Sequence, residues 1–560
     1  MATILSLQDV YQQLANDSNC VGIINCDIFK PESTDFYLAV KKLHRESYSS
    51  NQKVVFILTK DYYTQDLAGL VLQSIQRILN LNDISNFFVN IITTNPNVVE
   101  EYNWVHQQIS SDPTPINITQ VSGPWDKIYD HNESVFLGIN VPRNNIDYQQ
   151  LSEKHKDLLE NNKVFCILPW ASMFIQADSK VNPCCESTEI IGDCSQQSLE
   201  EIWNGPAIKK IRKDMLAGKQ IDSCKKCYFL ENNLKTKNSI RQEGLREFGK
   251  HIDRIEQTDD SGHYKDFNLL HLNLKYNNLC NLSCRMCDLS NSTSWYGPAK
   301  HIGQIKADDK VIMIAGDKKI DVLSQICQHL DSCQQVIFEG GEPLIIEEFW
   351  YMLEELDQRQ RYDVKLSYNS NLTQYKLKGK SIFDTWKKFK DVYVSASLDA
   401  EGSRGEYLRP GAKWDSILDF RTTMIKEVPN VYFEVISTVN IFNVLHLPDF
   451  HKSWVEQGLI QPSQWKLGFL HEPRYMSFLT LPPEFHETVK EKYTKHIEWL
   501  RQYDHNGQTI SNFESVIYGI DHSTIPFDAD DFWQNTERLD QYYGVNFLEV
   551  FPELKNLPRP

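Results

Sequence analysis

Between residues 269 and 470 six short β-type runs alternate with helical patterns, and this alternation constrains the fold of the chain more than any other feature. The runs are LLHLNLKY (269–276), QVIFEGG (335–341), DVKLSYNSN (363–371), DVYVSASLD (391–399), VYFEVISTVN (431–440) and QWKLGFL (464–470). Helical patterns such as 343–358 and 413–427 separate them. Strands joined by helices of this length predict parallel pairing, and six such units predict an α/β barrel or part-barrel. In such a barrel the chemistry sits at the C-terminal ends of the strands.

The flanking sequence divides by composition. Residues 1–150 read as a small α/β unit, with strands near 21–28, 53–59 and 86–93 and helix-like segments at 34–46, 64–80 and 97–109. No glycine-rich phosphate loop follows any of these strands, so no nucleotide site is assigned. Residues 160–240 are rich in Cys, Lys and Asn, with little strand periodicity. Within them SLEEIWNGPAIKKIRKDMLAGK reads as one helix, capped by Ser198 with Glu201 and stopped by Gly218. A polar stretch at 241–266 reads as a linker to the barrel, taken as 266–475. The remainder, 476–560, reads as a packed extension, with a lid over substrate as the alternative.

In 560 residues, 41% apolar and 24% charged composition is that of a globular protein. The net charge of −17 and the lack of a dense basic run disfavour nucleic acid as a partner. No apolar run is long enough to span a bilayer. The first twenty residues have neither a basic leader nor a long apolar segment, so the expected location is the cytoplasm. Reducing compartments favour thiolates and metal clusters over structural disulfides. Of the 13 cysteines, nine lie between Cys166 and Cys287 and none follows Cys333. That clustering points to metal chemistry.

Cys280-Asn-Leu-Ser-Cys284-Arg-Met-Cys287 follows the first barrel strand directly. Three thiolates in a short loop can each ligate one iron of a four-iron cube, leaving the fourth iron open to a small molecule. Zinc would need a fourth Cys or His nearby, and the nearest downstream histidine is His301. Phe338-Glu339-Gly340-Gly341-Glu342-Pro343 then closes the second strand, with two glycines that allow close backbone approach and a proline suited to a helix start.

Together these motifs resemble the radical S-adenosylmethionine (SAM) superfamily over roughly residues 268–470. The resemblance implies an α/β fold with a partial (β/α)6 barrel and a [4Fe-4S] cluster on Cys280, Cys284 and Cys287. That cluster would reductively cleave SAM to a 5′-deoxyadenosyl radical, which removes hydrogen from substrate. It also implies cofactor contacts. Met286, where the family often has an aromatic residue, would pack near the adenine. Gly340, Gly341, Glu342 and Pro343 form the turn that meets the SAM amino group, Glu342 either accepting from the ammonium or bracing the loop. Ser367, Asn369 and Asn371, then Ser395, Ser397 and Asp399, occupy strand ends where polar groups meet the SAM carboxylate or ribose. Arg409, in Tyr407-Leu-Arg-Pro-Gly411, resembles the arginine that pairs with that carboxylate, and Asn440 is a further candidate.

Ahead of the barrel, Phe165-Cys166 with Pro169-Trp170, Pro183-Cys184-Cys185, Trp203-Asn204, Arg212 and the Cys224-Lys-Lys-Cys227 knuckle with Tyr228 resemble a twitch domain, the short form of the SPASM auxiliary-cluster module. The knuckle alone suits zinc as readily as iron–sulfur. The resemblance implies a second [4Fe-4S] cluster on Cys166, Cys184, Cys224 and Cys227, with Cys185 or Cys194 able to replace Cys184. It departs from the family in standing before the barrel. Cys20, Cys26, Cys327 and Cys333 read as buried thiols, and His271 as a satisfied interior or barrel-facing histidine. Glu472, Arg474 and Tyr475, after the sixth strand, either face substrate or form a turn.

The implied enzyme oxidises or cross-links a peptide, a protein, or a small alcohol or sugar, drawing electrons from a flavodoxin or ferredoxin. A two-cluster electron carrier and a zinc-braced interaction protein are the alternatives.

Overall fold

The computed structural model describes residues 151–560 other than 234–238, 306–309, 317–319 and 504–507, and four strands within the first 150 residues. It divides into two units, Met1–Asn145 and Ile146–Pro560. In the first, β1 (Cys20–Asn25), β2 (Lys53–Ile57), β3 (Val89–Thr93) and β4 (Ile116–Gln120) form a parallel sheet in that order. Three were expected; β4, INITQ, is the addition. The helices expected at 34–46, 64–80 and 97–109 lie outside the described residues, as does Cys26.

The second unit is built on one nine-stranded sheet. The three strands β5 (Ser172–Ile175), β6 (Lys180–Asn182) and β7 (Gly192–Asp193) come from the cysteine-rich stretch. The barrel strands are β8 (His271–Lys275), β9 (Gln335–Glu339) and β10 (Lys365–Ser370), then, after a two-stranded ribbon of β11 (Lys376–Leu377) and β12 (Lys380–Ser381), β13 (Val392–Ser397), β14 (Tyr432–Val439) and β15 (Trp465–Phe469). The order β15-β14-β13-β10-β9-β8-β5-β6-β7 is parallel from β15 to β5, so the six expected strands pair in sequence.

Alternation gives the sheet two characters. Val336 and Phe338, Leu366 and Tyr368, Val394 and Ala396, and Phe433 and Val435 are buried. On that face Phe338 meets Phe349 of the helix Glu347–Gln358 at 4.8 Å and stacks on Tyr368 at 4.9 Å. The other face carries His271, Asn273, Glu339, Ser367, Ser395 and Glu434 into the lumen, whose cavity is about 500 Å³.

Three expectations are corrected. The cysteine-rich stretch extends the barrel sheet by three strands instead of standing without them: β5 pairs parallel to β8, and β6 returns antiparallel. Its expected single helix is two, Leu199–Trp203 and Pro206–Leu216. Pro206 cannot donate to the preceding turn and suits a new first turn, so the helix restarts at Gly205. The Ser198–Glu201 capping box and the stop at Gly218, with φ +70°, are as expected. The linker at 241–266 is in fact helical, Ile240–Phe248 followed by a 3-10 run Gly249–Gln257. It is held because Arg241 is buried and donates to the Phe165 carbonyl (2.8 Å) and to Glu231 (3.0 Å).

The C-terminal extension packs as helices His486–Leu500, Gln508–His522 and Ala529–Tyr543. No helix among the described residues is long and apolar enough to cross a membrane. The His451 and His496 rings meet at 2.9 Å between Nδ1 and Nε2 and are buried. Burial lowers His496 to about 4, as it does His271 and His446. The unfolded chain therefore takes up protons below about pH 6.5 that these rings refuse until about pH 4. Stability is full above that window and falls as pH drops through it. The wild type should lose up to about 3 kcal/mol relative to His496→Gln between pH 6.5 and 4, read from denaturation midpoints of both proteins across that range.

Candidate active site

The three-cysteine loop leaves β8 and is held from both sides. On one side the glycine turn after β9 docks against its entry: Glu342 N–H donates to the Leu279 carbonyl (2.8 Å) and Gly341 N–H to the Asn277 carbonyl (3.3 Å). A Cβ at Gly341 would lie 2.0 Å from the Leu279 oxygen, and Gly340 has φ +126°. Both glycines are thus required by close backbone approach and left-handed geometry. On the other side, Ser283 N–H donates to the Pro410 carbonyl (3.0 Å) and Arg285 N–H to that of Leu408 (2.9 Å). Inside the loop, Trp295 Nε1–H donates to the Cys284 carbonyl (2.6 Å) and Ser294 to that of Cys280 (2.7 Å).

Glu342 is buried, and its carboxylate is engaged by three donors of the chain. It accepts from Ser370 Oγ (2.9 Å), Asn371 N (2.7 Å) and Leu344 N (3.2 Å). Burial pushes its carboxyl up to about 7 against those donors. Of the two roles open to Glu342, the geometry is that of a loop brace tying the glycine turn to the end of β10. Pro343 is buried and opens a 3-10 turn.

Arg409 reaches the same place. Its Nε donates to Asp399 Oδ2 at 2.8 Å, and its Nη1 lies 3.6 Å from Cys284 Sγ. Asp399 is buried and also accepts from Thr438 N, which makes it a support for Arg409 rather than a ligand-facing group. Asn371 donates to Asn281 (3.0 Å) and approaches Cys280 Sγ (4.0 Å). Met286 is half-buried against the core. Ser367, Asn369 and Ser395 line the lumen cavity, where Ser395 donates to Glu434 (2.9 Å). Ser397 is half-buried and is not among the cavity residues. Asn440 is spent on its own turn with Asn443 and Thr438. Glu472 and Arg474 are exposed and do not line the cavity; they belong to a turn.

The second cysteine group converges as well. Cys166, Cys184, Cys224 and Cys227 line one small pocket with Tyr228 and Arg241. Cys166 is raised by burial and then by the like charges of Cys184, Cys224 and Cys227. Of Cys184, Cys185 and Cys194, Cys184 is the one that lines this pocket. Cys185 faces the lumen cavity instead, and Cys194 is buried beside Ser179 and Gly316. Arg212 knits the module, its Nε donating to the Pro169 carbonyl (2.9 Å), its Nη1 to Asn204 (3.1 Å), and its guanidinium lying 4.6 Å from the Trp203 ring. Cys327 and Cys333 are buried thiols, as expected.

The donor sets fit iron–sulfur clusters. Burial raises all seven thiols, Cys280 and Cys184 to about 12 and Cys224 to about 11, so they become thiolates only with cations among them. Among the described residues no three Cys, His, Asp or Glu groups are drawn together as tightly as a single ion requires. A cluster, with one thiolate per iron, accepts wider spacing.

Sequence reasoning passed over several residues here. Asn273, Glu434 and Lys466 line the cavity. The polar alternation of His271, Asn273 and Lys275 was the available signal for the first. Asp540 had none: it lies 255 positions from Arg285, whose guanidinium it binds at 2.6 Å, pinning the C-terminal helix to the cysteine loop.

Substituting Gly341 with Ala should break the contact with Leu279 and loosen the cysteine loop. Reconstituted protein should then hold about four irons fewer per chain than wild type, with the 166–228 module still loaded; iron and sulfide analysis reads this.

Residues 166–228 match the model of the SPASM family, described as an iron–sulfur cluster-binding domain. No curated protein matches the chain. Among solved structures, the chain is similar to native anSMEcpe with bound AdoMet and Cp18Cys peptide, at 17% identity over 43% of this chain and 61% of that one, with a TM-score of 0.29. It is also similar to Streptococcus suis SuiB bound to S-adenosylmethionine, at 14% identity over 49% and 56%, TM-score 0.29. A third is TYW1 with a lysine–pyruvate adduct bound, at 15% over 39% and 70%, TM-score 0.22. The chain spans about three fifths of the first of these, and we carry no residue role across from any of them. The match to the SPASM iron–sulfur cluster-binding domain is confined to residues 166–228, and in this chain that segment stands ahead of a partial barrel with a three-cysteine loop at its strand ends.

Proposed function

We propose that the chain is a radical SAM enzyme that removes hydrogen from an organic substrate held in the barrel lumen. One observation carries this reading: the glycine turn, Arg409 and the three-cysteine loop, far apart in sequence, are hydrogen-bonded into one assembly at the strand ends. When bound, a four-iron cluster supplies the electron that cleaves SAM and so provides the hydrogen-abstracting radical.

The chain's own residues then have definite tasks. Cys280, Cys284 and Cys287 would hold the cluster. Arg409, oriented by Asp399, places a positive charge beside Cys284 and favours its thiolate. Glu342 fixes the glycine turn relative to Asn371, so the backbone facing SAM is set before it binds. The lumen offers a volume suited to a small molecule or a peptide side chain. Its rim residues Glu339 and Asn369 precede Gly340 and Asn371 by one and two positions. Cys166, Cys184, Cys224 and Cys227 would hold an auxiliary cluster, whose electron-accepting chemistry would suit an oxidation or a cross-link. Cys184 lines both its own pocket and the lumen, which favours that route. A flavodoxin or ferredoxin would supply the reducing electron.

Anaerobically reconstituted wild type with a strong reductant should release 5′-deoxyadenosine from SAM, and Cys284→Ala should release none. Absence of product from wild type shown to contain both clusters would instead support an electron carrier. Replacing Cys224 and Cys227 with Ala should leave SAM cleavage within about threefold of wild type while abolishing substrate oxidation; intact oxidation would remove the electron-acceptor role.

A further inference from the structure

The lumen cavity contains an unbalanced corner. Four carboxylates line it: Glu243, Glu247, Glu339 and Glu434. Two are neutralised, Glu247 by Lys365 at 3.6 Å and Glu434 by Lys466 at 2.9 Å. Glu339, the last residue of β9, has no ion pair among the described residues. It accepts instead from two amides, Asn369 Nδ2 at 3.2 Å and Asn273 Nδ2 at 3.5 Å. Glu243 likewise has no ion pair among the described residues.

Asn273 supplies an independent sign. Its side chain is 1% exposed, it lines the same cavity, and its Oδ1 has no hydrogen-bond partner. The amide cannot simply be turned over, because its nitrogen is the end that faces the Glu339 carboxylate. A buried acceptor without a donor costs about 1–3 kcal/mol, so the fold retains here an acceptor that a bound donor would satisfy. Beyond this corner the lumen is lined by Ile337, Tyr393, Tyr432 and Ile436, an apolar channel suited to an alkyl stem.

We propose that Glu339, Asn273 and Asn369 form a subsite for a substrate ammonium carried on an alkyl stem, as in a lysine side chain or an alkylamine. The ammonium would donate to Glu339 and to Asn273 Oδ1, supplying a counter-charge in contact, which the neighbouring Lys275 of β8 does not make, and the missing donor. Burial raises the Glu339 carboxyl, as an unpaired carboxylate in this place requires. The inference rests on the lumen being the substrate site, and SAM, which also carries an ammonium, is the competing source of the same group.

The test compares hexylammonium with hexanol, binding to full-length cluster-loaded protein by ligand-observed NMR without reductant. Wild type should bind hexylammonium about tenfold or more tighter than hexanol, the size of one charge-assisted hydrogen bond. Glu339→Gln should bring the two probes to near equality, while Glu247→Gln, whose carboxylate is already paired, should keep the preference. SAM affinity, measured on the same samples, should be unchanged in Glu339→Gln. Asn273→Leu, which removes the unpaired acceptor and leaves Glu339, should weaken hexylammonium alone, and decides the matter if the Gln variant does not fold. Equal binding of the two probes to wild type overturns the proposal. So does an equal loss in Glu247→Gln, which would mean nonspecific attraction to an acidic protein. A parallel loss of SAM affinity in Glu339→Gln would assign the subsite to SAM. Failure of SAM cleavage would strike the enzymatic reading without altering the probe comparison, so the two can fail separately.

Discussion

The approach of Gly341 to the Leu279 carbonyl is the contact on which the rest of the site depends. It permits the turn after β9 to lie directly on the chain leaving β8, with no side chain between them. Once these backbones touch, Glu342 can turn inward and spend its carboxylate on Ser370, Asn371 and Leu344. That links the ends of three adjacent strands. Arg409 and Asp399, from the end of β13 and the segment after it, close the far side. The cysteine loop is therefore held in shape by backbone and carboxylate contacts of the protein itself, as preorganised sites require.

Electrostatics explain why such bracing is needed. Seven thiols in two groups, three buried and four half-buried, are disfavoured as thiolates without cations, and each group raises its members further through like-charge repulsion. Burial therefore favours neutral thiols in the absence of a bound cation. Arg409 offsets part of that penalty at Cys284, and its own charge is sustained by the buried Asp399. At the SPASM group Arg241 is engaged by Glu231 and by main-chain carbonyls, so its charge serves the fold as much as the thiols. The two centres thus sit in differently compensated surroundings: Arg409 reaches a sulfur directly, while Arg241 acts on Cys227 with its guanidinium committed to Glu231 and main-chain carbonyls.

The cysteine-rich module is continuous with the barrel. β5 pairs with β8, so the segment carrying Cys166 and the strand leading to Cys280 are neighbours in one sheet. The same pairing aligns Ser172 with His271, whose Nδ1 it meets at 2.9 Å. It also explains how Cys184 lines both the cluster pocket and the lumen while the adjacent Cys185 lines the lumen: they follow β6 at the border between the two. The extension at the C-terminus adds a further tie through Asp540, which joins Arg285, Tyr407 and the Phe547 amide.

The sequence by itself determined the six barrel strands and the motif loops, because both are written in local signals. Short β-type runs mark β8, β9, β10, β13, β14 and β15, and Cys280-x3-Cys284-x2-Cys287, Gly340-Gly341 and Cys224-x2-Cys227 are short-range patterns; β4, β5 to β7 and the ribbon of β11 and β12 were not read from it. Local signals also placed the Ser198 cap and the stop at Gly218, where backbone conformation depends on a few neighbours. Tertiary structure alone decided the rest. The segment at 241–266 is polar enough to read as a linker, yet it is helical because distant carbonyls and Glu231 satisfy the buried Arg241. Glu342 reads equally well as a ligand contact or a brace until its three donors, two of them from β10 and the residue after it, are known. Cys184, Cys185 and Cys194 cannot be ranked by spacing, since direction and not distance along the chain separates them. The paired and unpaired carboxylates of the lumen depend on strand register, which brings Asn273, Glu339 and Asn369 onto one face from positions almost a hundred residues apart.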